Sequence, residues 1–192
     1  MKFPEQFPVL QTERLLLRET EERDAEGVFA MESDAIAMRY WNTPPMQHLE
    51  QAQASVQRAM SHFPNRVGLR WSIVRRKDDL FLGHVSLFHM SEQCAVAEIG
   101  YGLDRSYWGQ GYMHEALTAV VDYAFGTLGA RRLEADTHPA NEASLRALAR
   151  LGFQREGLLR ERWRVGDEIS DAVLLGLLAR EWRDLAAAKE EK

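Results

Sequence analysis

The chain has 192 residues, of which 45% are hydrophobic and 28% are charged, and its formal net charge is −5. This composition is typical of a soluble globular protein, and the length suits one domain over residues 1–192 with a single core. No apolar run approaches the ~20 residues of a membrane span and the first residues lack the apolar core of a secretory signal, so a cytoplasmic protein without membrane contact is expected.

Hydrophobic periodicity predicts both strands and helices in the first half of the chain. The predicted elements of this half are, in order, a strand, two helices and three strands, at 15–17, 24–31, 49–63, 69–74, 80–88 and 95–103. The charged turn 75–79 separates two of the strands, and the three strands together are expected to form an antiparallel meander.

The second half begins with a glycine-rich turn at 107–111, which opens into an amphipathic helix. The remaining predicted elements are a strand, a helix and a closing β-hairpin, at 132–137, 141–151 and 158–178. Residues 186–192 are predicted to be a frayed tail. Together these elements predict an α/β domain with a mixed sheet, central strands near 95–103 and 132–137, and helices on both faces.

The turn Gly109-Gln110-Gly111 leads directly into a helix, and such a junction binds phosphate groups. The first N–H groups of a helix have no internal partner and sit at the positive end of the helix dipole, while glycines let the backbone approach an anion. Plain turn chemistry is the alternative. A dinucleotide fingerprint is excluded because His114 stands where it needs a third glycine, and the nucleoside-triphosphate motif Gly-Lys-Ser/Thr is absent. The sequence therefore predicts a site for a pyrophosphate carrier of another kind.

Several ordered motifs of this chain resemble those of the GNAT superfamily of acyl-CoA N-acyltransferases. The motifs that carry this resemblance are the glycine turn with its helix, the next strand, the Asn-x-x-Ser block and a Leu-Gly-Phe segment, at 107–117, 133–137, 141–144 and 151–157. Three further segments are similar to the ribosomal-protein N-terminal acetyltransferase-like group, at 12–18, 98–101 and 171–182. The resemblance covers about residues 10–183 and implies acetyl-CoA as the co-substrate.

In this family the two central strands are parallel and splay apart, which leaves the first free to pair with the pantetheine of CoA. The resemblance assigns pantetheine contacts to Tyr101, Gly102 and Leu103. It assigns pyrophosphate contacts to Gly109, Gln110, Gly111, Tyr112, Met113 and His114. The chain departs from the family pattern at Trp108, where Gln or Arg is usual, and at Met113, where Gly or Ala is usual. Backbone donors survive both changes, although a methionine side chain needs more room near the phosphate.

Acyl transfer to an amine requires a neutral nucleophile and a proton for the departing thiolate. The candidate bases are Asp136 and Glu98. Asp136 stands at a position where related enzymes carry a carboxylate base, and Glu98 lies on the first central strand. For each of them, the alternative is an ion-paired or solvated strand residue without a catalytic role. Many relatives place a tyrosine on the helix after the asparagine, but this chain has Leu148 there. Ser144 is then the hydroxyl expected to reach the CoA sulfur, with Asn141 on pantetheine, unless both only cap the helix.

The acceptor site is predicted at the proline-stiffened aromatic loop 40–46, where the resemblance makes Trp41 part of the pocket wall; packing against the core is the alternative. No metal is predicted, because Cys94 is the only cysteine and the six histidines show no ligand spacing. The predicted function is acetyl transfer from acetyl-CoA to a primary amine, on a protein N-terminus or a small molecule, by a monomer or homodimer without a nucleic-acid partner. The alternative is a non-catalytic acyl-CoA-binding sensor or interaction module.

Overall fold

The computed structural model describes the backbone of residues 1–190 and the side chains of residues 1–188. Eight strands form one sheet in the spatial order β1-β2-β3-β4-β5-β6-β8-β7. The strands span Leu10–Gln11 (β1), Leu15–Glu19 (β2), Leu69–Arg75 (β3), Leu80–Ser91 (β4), Val96–Leu103 (β5), Arg132–Thr137 (β6), Gln154–Val165 (β7) and Glu168–Leu178 (β8). The α-helices span Ala25–Glu32 (α1), Leu49–His62 (α2), Tyr112–Asp122 (α3), Glu142–Arg150 (α4) and Ala179–Glu190 (α5). Strands β5 and β6 are parallel, and the other neighbouring strands of the described chain are antiparallel.

The sheet carries helices on both faces. On one face Val120 of α3, Leu148 of α4 and Trp182 of α5 belong to the main core, packed against apolar strand residues. Helices α1 and α2 pack together through a second cluster that includes Val28 and Val56. This arrangement confirms the predicted α/β fold with a mixed sheet, a central parallel pair and helices on both faces. Among the described residues, no helix is both long enough and apolar enough to cross a membrane.

A buried ion pair anchors the start of α1 to the sheet. The guanidinium of Arg18 on β2 donates to both carboxylate oxygens of Asp24, at 2.9 and 2.7 Å. Ser72 on β3 donates its hydroxyl to the same carboxylate at 2.7 Å, and the Glu21 amide donates at 2.9 Å. Burial acts to raise the pKa of Asp24, but the hydrogen bonds from Arg18, Glu21 and Ser72 together outweigh it and lower the pKa. The carboxylate therefore stays ionised inside the protein.

Several predicted boundaries were wrong. The short strand β1 was not predicted, the first helix begins only at Ala25 after a 3-10 turn, and β7 begins earlier than residue 158. Strand β7 forms a sheet edge and is mostly exposed, so its sequence lacks the apolar alternation that marks a half-buried strand. The frayed tail predicted at 186–192 is wrong for residues 186–190, which lie in α5, and residues 191–192 lie outside the described residues.

Candidate active site

Strands β5 and β6 separate just before the predicted donor segment. Their parallel pairing joins residues 96–98 of β5 to residues 132–134 of β6. Beyond this point β5 continues to Leu103 and pairs with β4 on its other side. Within the described chain, the edge of β5 at 99–103 that faces β6 therefore presents backbone N–H and C=O groups without a strand partner. This is the splayed pair that the resemblance implied.

A cleft of about 540 Å³ opens beside this separation. The end of β5, the turn before α3, helix α4 and the loop after α1 line it. The predicted site residues that line the cleft are Trp41, Tyr101, Gly102, Leu103, Gly109, Gly111, Tyr112, Met113, His114, Asn141 and Ser144. The structure thus brings most of the predicted donor and acceptor residues to one cavity, whereas Gln110, Glu98 and Asp136 are not among its lining residues.

The glycine turn has the backbone that an anion site needs. Gly109 and Gly111 adopt φ values of 73° and 80°, in the left-handed region that glycine enters without strain. Gly111 is the N-cap of α3, so the N–H groups of Tyr112, Met113 and His114 have no acceptor in a preceding helical turn. A Cβ placed at Gly109 would meet no atom within 4 Å, which leaves open space in front of the turn. These donors and the helix dipole together suit a phosphate group.

Trp108, one of the two departures from the family pattern, ties the turn to the donor strand. Its indole Nε1 donates to the carbonyl oxygen of Leu103 at 2.8 Å. Gln110 donates its side-chain amide to the carbonyl of Ser106 at 3.2 Å, which turns that side chain back toward the preceding 3-10 helix. The end of β5 and the glycine turn are therefore joined by a direct hydrogen bond.

Asn141 and Ser144 have different roles at the start of α4. The side-chain oxygen of Asn141 accepts from the amide of Ser144 at 3.1 Å, so Asn141 is the N-cap. The Ser144 hydroxyl lies 2.7 Å from the phenol oxygen of Tyr101 on β5, and both residues line the cleft. Burial raises the pKa of Tyr101 to about 12, so the phenol keeps its proton at neutral pH. The sequence predicts Tyr101 only as part of the pantetheine segment, and no local pattern pairs it with a residue 43 positions later.

Each of the two candidate bases has a basic side chain as its neighbour. Glu98 is 2.9 Å from the Nδ1 atom of His89, and Asp136 is 3.4 Å from the Nε atom of Arg162. Their side chains are 17% and 15% exposed, so neither is sealed from water. Glu98 occupies the last paired position of β5, opposite Glu134, whereas Asp136 lies beyond that pairing in the open part of the splay.

The loop after α1 forms the opposite wall of the cleft. The ring of Trp41 rests on Gly102, because a Cβ at that glycine would lie 2.6 Å from the Cζ2 atom of the indole. The same ring meets His84 edge-on at 5.7 Å, and Tyr40 stacks on His138 of the β6–α4 connection at 5.1 Å. The aromatic wall is therefore held by contacts to the sheet and to the end of β6. In the part of the chain that the structure describes, no group of three or more His, Cys, Asp or Glu side chains could hold a metal ion.

Comparison with known proteins decides the family. The model of the Acetyltransferase (GNAT) domain matches residues 14–154, which include the splayed strands, the glycine turn and α4. The chain belongs to the GNAT acetyltransferase family. Members of this family are acetyl-CoA-dependent N-acyltransferases, and the enzyme class predicted from the sequence is thereby confirmed.

Individual relatives agree with this assignment. The uncharacterized N-acetyltransferase YoaA of Bacillus subtilis is 37% identical over 155 residues, which cover 81% of this chain and 88% of that protein. The [Ribosomal protein uS5]-alanine N-acetyltransferase of Escherichia coli is 36% identical over 84 residues, 44% of this chain and 43% of that protein. Among solved structures, the GNAT-family acetyltransferase from Bacillus anthracis superposes with a TM-score of 0.80 at 26% identity, covering 91% of this chain and 100% of that one.

Proposed function

We propose that this GNAT enzyme transfers an acetyl group from acetyl-CoA to a primary amine by direct attack of the amine on the thioester, without a covalent enzyme intermediate. One observation carries the proposal. A single cleft joins the N-terminus of α3 to the Ser144 hydroxyl and to the aromatic loop at Trp41. A thioester donor bound at one end and an amine bound at the other would therefore meet between them.

The residues present fit the donor. The edge of β5 at 99–103 that lacks a strand partner can form strand-like hydrogen bonds with the two amides of pantetheine, except at the Leu103 carbonyl, which already accepts from Trp108. The N-terminus of α3 offers backbone amides to the pyrophosphate, and each charge-assisted bond contributes about 1.5 to 3 kcal/mol. Three or four such bonds, together with the strand pairing, reach the ~8 kcal/mol of a micromolar complex.

The proton transfers can be assigned to groups of this chain. Asp136 lies in the open part of the splay with access to water, and we assign it the removal of the amine proton through a bridging water. The amine nitrogen bonds to the carbonyl carbon, the C–S bond breaks, and the sulfur leaves as a thiolate. Ser144 donates a hydrogen bond to this sulfur while Tyr101, which stays protonated, donates to the Ser144 oxygen and keeps the serine hydrogen directed at the cleft.

The acceptor end of the cleft favours an amine attached to an apolar or aromatic body. Met38, Tyr40 and Trp41 line this end beside the exposed Arg39, and the cleft as a whole presents more apolar than polar surface. An ammonium group that loses water on entering such a site has a lowered pKa, which promotes the neutral form required for attack. The Escherichia coli relative acts on an alanine of ribosomal protein uS5, and a peptide with an N-terminal alanine has the small apolar body that this wall suits.

A binding module that has lost transfer is the second candidate. It is favoured by one observation: no Asp or Glu belongs to the residues that line the cleft in the described chain, while Glu98 contacts His89 and Asp136 is paired with Arg162. Such a module would bind acetyl-CoA without releasing CoA in the presence of an amine.

Turnover on an amine panel separates the two candidates. Acetyl-CoA is incubated with the protein and with peptides that begin in alanine or serine, with polyamines, with amino acids and with aminoglycosides, and free CoA thiol is followed. We expect amine-dependent thiol release and a mono-acetylated product by mass spectrometry, both absent from a Gly111→Asp variant that retains its fold. Tight binding of acetyl-CoA with no release on any amine would instead support the binding module.

A further inference from the structure

One arginine connects the start of β2 to the glycine turn. Arg14 donates through Nη1 to the carbonyl oxygen of Gln110 at 3.0 Å and through Nε to the carboxylate of Glu115 at 2.6 Å. Its backbone amide donates to the other oxygen of Glu115 at 2.9 Å, and Thr12 donates its hydroxyl to that same oxygen at 2.5 Å. The guanidinium also lies 4.4 Å from the ring centre of Tyr112. The fork of Arg14 therefore contacts the residue before the N-cap of α3 and the first turn of the helix at once.

The bond to Gln110 sets the direction of an amide in the turn. A peptide unit is planar and trans, so its C=O and N–H groups point in opposite directions. When Arg14 binds the Gln110 carbonyl, the N–H of Gly111 in the same peptide unit points away from Arg14. Gly111 lines the cleft and Gln110 does not. This peptide unit lies between Gln110 and Gly111, and the glycine accepts a wide range of φ values, so an external contact helps to hold its orientation.

The pair with Glu115 has an electrostatic consequence at the same place. Glu115 lies in the first turn of α3, where its ionised side chain adds a negative charge close to the predicted phosphate site. Burial opposes ionisation of this group, but the hydrogen bonds from Thr12 and Arg14 and the Arg14 charge outweigh it and lower the pKa of Glu115. The positive charge of Arg14 neutralises the negative charge of Glu115, so the pair holds the turn without adding a net charge.

We propose that Arg14 is a positioning residue for the donor: by holding the Gln110 carbonyl it directs the Gly111 amide into the cleft as a hydrogen-bond donor to the pyrophosphate of CoA. This inference rests on the proposed function only in taking CoA as the ligand. Arg14 acts through the turn and contacts no reacting atom. Its loss should therefore weaken ligands that carry the pyrophosphate and spare those that lack it.

The test compares CoA with pantetheine, which lacks the pyrophosphate, as ligands of the full chain in NMR titrations. Arg14→Ala should raise the Kd for CoA at least tenfold and change the Kd for pantetheine less than twofold. Arg14→Lys should give an intermediate loss for CoA, because one ammonium cannot reproduce the fork that holds both partners. The matched control is Arg66→Ala, which removes an exposed arginine–glutamate pair that does not line the cleft and should change neither Kd.

A double variant separates orientation from charge balance. If Arg14 served only to neutralise Glu115, the Arg14→Ala Glu115→Gln variant would regain wild-type affinity for CoA; the orienting role predicts that it remains at least fivefold weaker. Recovery in the double variant, an unchanged CoA Kd in Arg14→Ala, or equal losses for CoA and pantetheine would each overturn the proposal. If Arg14→Ala does not fold, the same comparison is made with Arg14→Lys. A change of less than twofold in the Kd of that variant for CoA would then contradict the proposal. Failure of the wild-type protein to bind CoA at all would overturn the proposed function as well.

Discussion

Removal of the Ser144 hydroxyl tests the proposed hydrogen bond to the departing thiolate. In the structure this hydroxyl lies in the cleft 2.7 Å from the Tyr101 phenol, while Asn141 supplies the helix cap, so Ser144→Ala removes the proposed contact to sulfur and leaves the cap in place. The contact strengthens as charge develops on sulfur, and its loss should lower turnover more than donor binding. A charge-assisted hydrogen bond of this kind corresponds to about 2 to 3 kcal/mol of barrier, or roughly thirty- to two-hundredfold in kcat.

Tyr101→Phe is the second single variant of a double-mutant cycle with Ser144→Ala. It removes the donor to Ser144 and keeps the ring that packs against the core. A neutral hydrogen bond contributes about 1 kcal/mol, so a loss of about fivefold in kcat is expected. Because Tyr101 is proposed to act through Ser144, the double variant should be no slower than Ser144→Ala alone.

The assay follows CoA thiol release at saturating acetyl-CoA and amine, with the Tm of each variant measured in parallel. Ser61→Ala is the matched control, since its hydroxyl bonds only the Arg58 carbonyl within α2, away from the cleft. An unchanged kcat for Ser144→Ala together with a lowered Tm would make the hydroxyl structural. Additive effects of Ser144→Ala and Tyr101→Phe would show that the two hydroxyls do not act as a unit.

Three further predictions concern the phosphate site, the base and the buried ion pair. Acetyl-CoA at about 100 times its Kd should stabilise the wild-type fold by ~2.7 kcal/mol, roughly 5 to 10 °C in Tm. Gly111→Asp should abolish this shift, because a side chain at this left-handed position, whose Cβ would lie 3.4 Å from the Arg14 Nη2 atom, adds a negative charge at the N-terminus of α3 and disturbs the contacts that hold the turn; a normal shift in a folded variant would remove the phosphate assignment. Asp136→Asn should lower kcat by about two to four orders of magnitude at nearly unchanged acetyl-CoA affinity, and Glu98→Gln is the parallel test. Near-wild-type turnover in both variants and in the double variant would show that neither carboxylate is the base. Asp24→Ala should cost about 3 to 5 kcal/mol in denaturant unfolding because it leaves the buried Arg18 without its bidentate carboxylate partner. Since the pKa of Asp24 is lowered in the fold, this contribution is fully present above the ordinary aspartate pKa and declines as pH falls below it, and a loss that is equal on both sides of that pKa would contradict the assignment.

The donor side of the cleft could be predicted from the sequence because its features are local. Glycine at positions 109 and 111 is by itself a signal for the left-handed backbone found there. The helix cap at Asn141 likewise depends only on the amide of Ser144, three residues later. The strands that flank these motifs follow from periodicity, whereas their parallel pairing was implied by the resemblance to the GNAT superfamily. Local chemistry therefore predicted residues that line one wall of the cavity.

The contacts that orient these groups could not be predicted in the same way. Tyr101 and Ser144 are 43 positions apart and Arg14 and Glu115 are 101 positions apart, so neither pair leaves a pattern within any one window of sequence. The arginine that pairs with Asp136 comes from the exposed strand β7, whose own extent was underestimated. Residue type therefore shows which acids and hydroxyls the chain contains, whereas only the tertiary structure shows which of them form hydrogen bonds and ion pairs with one another.

The contact of the Trp41 ring with Gly102 limits how a preference for a particular amine acceptor can change. The indole occupies the space that a side chain at position 102 would need, so the proposed acceptor wall lies directly on β5, the strand proposed to bind the donor. A smaller residue at 41 would open a hollow over β5, and any larger residue at 102 would displace the loop; either change alters both halves of the site together. Ile36 and Arg39 line the same cleft from exposed loop positions. Directed evolution toward a new amine should therefore accumulate substitutions at 36 and 39 while Trp41 and Gly102 persist as a pair.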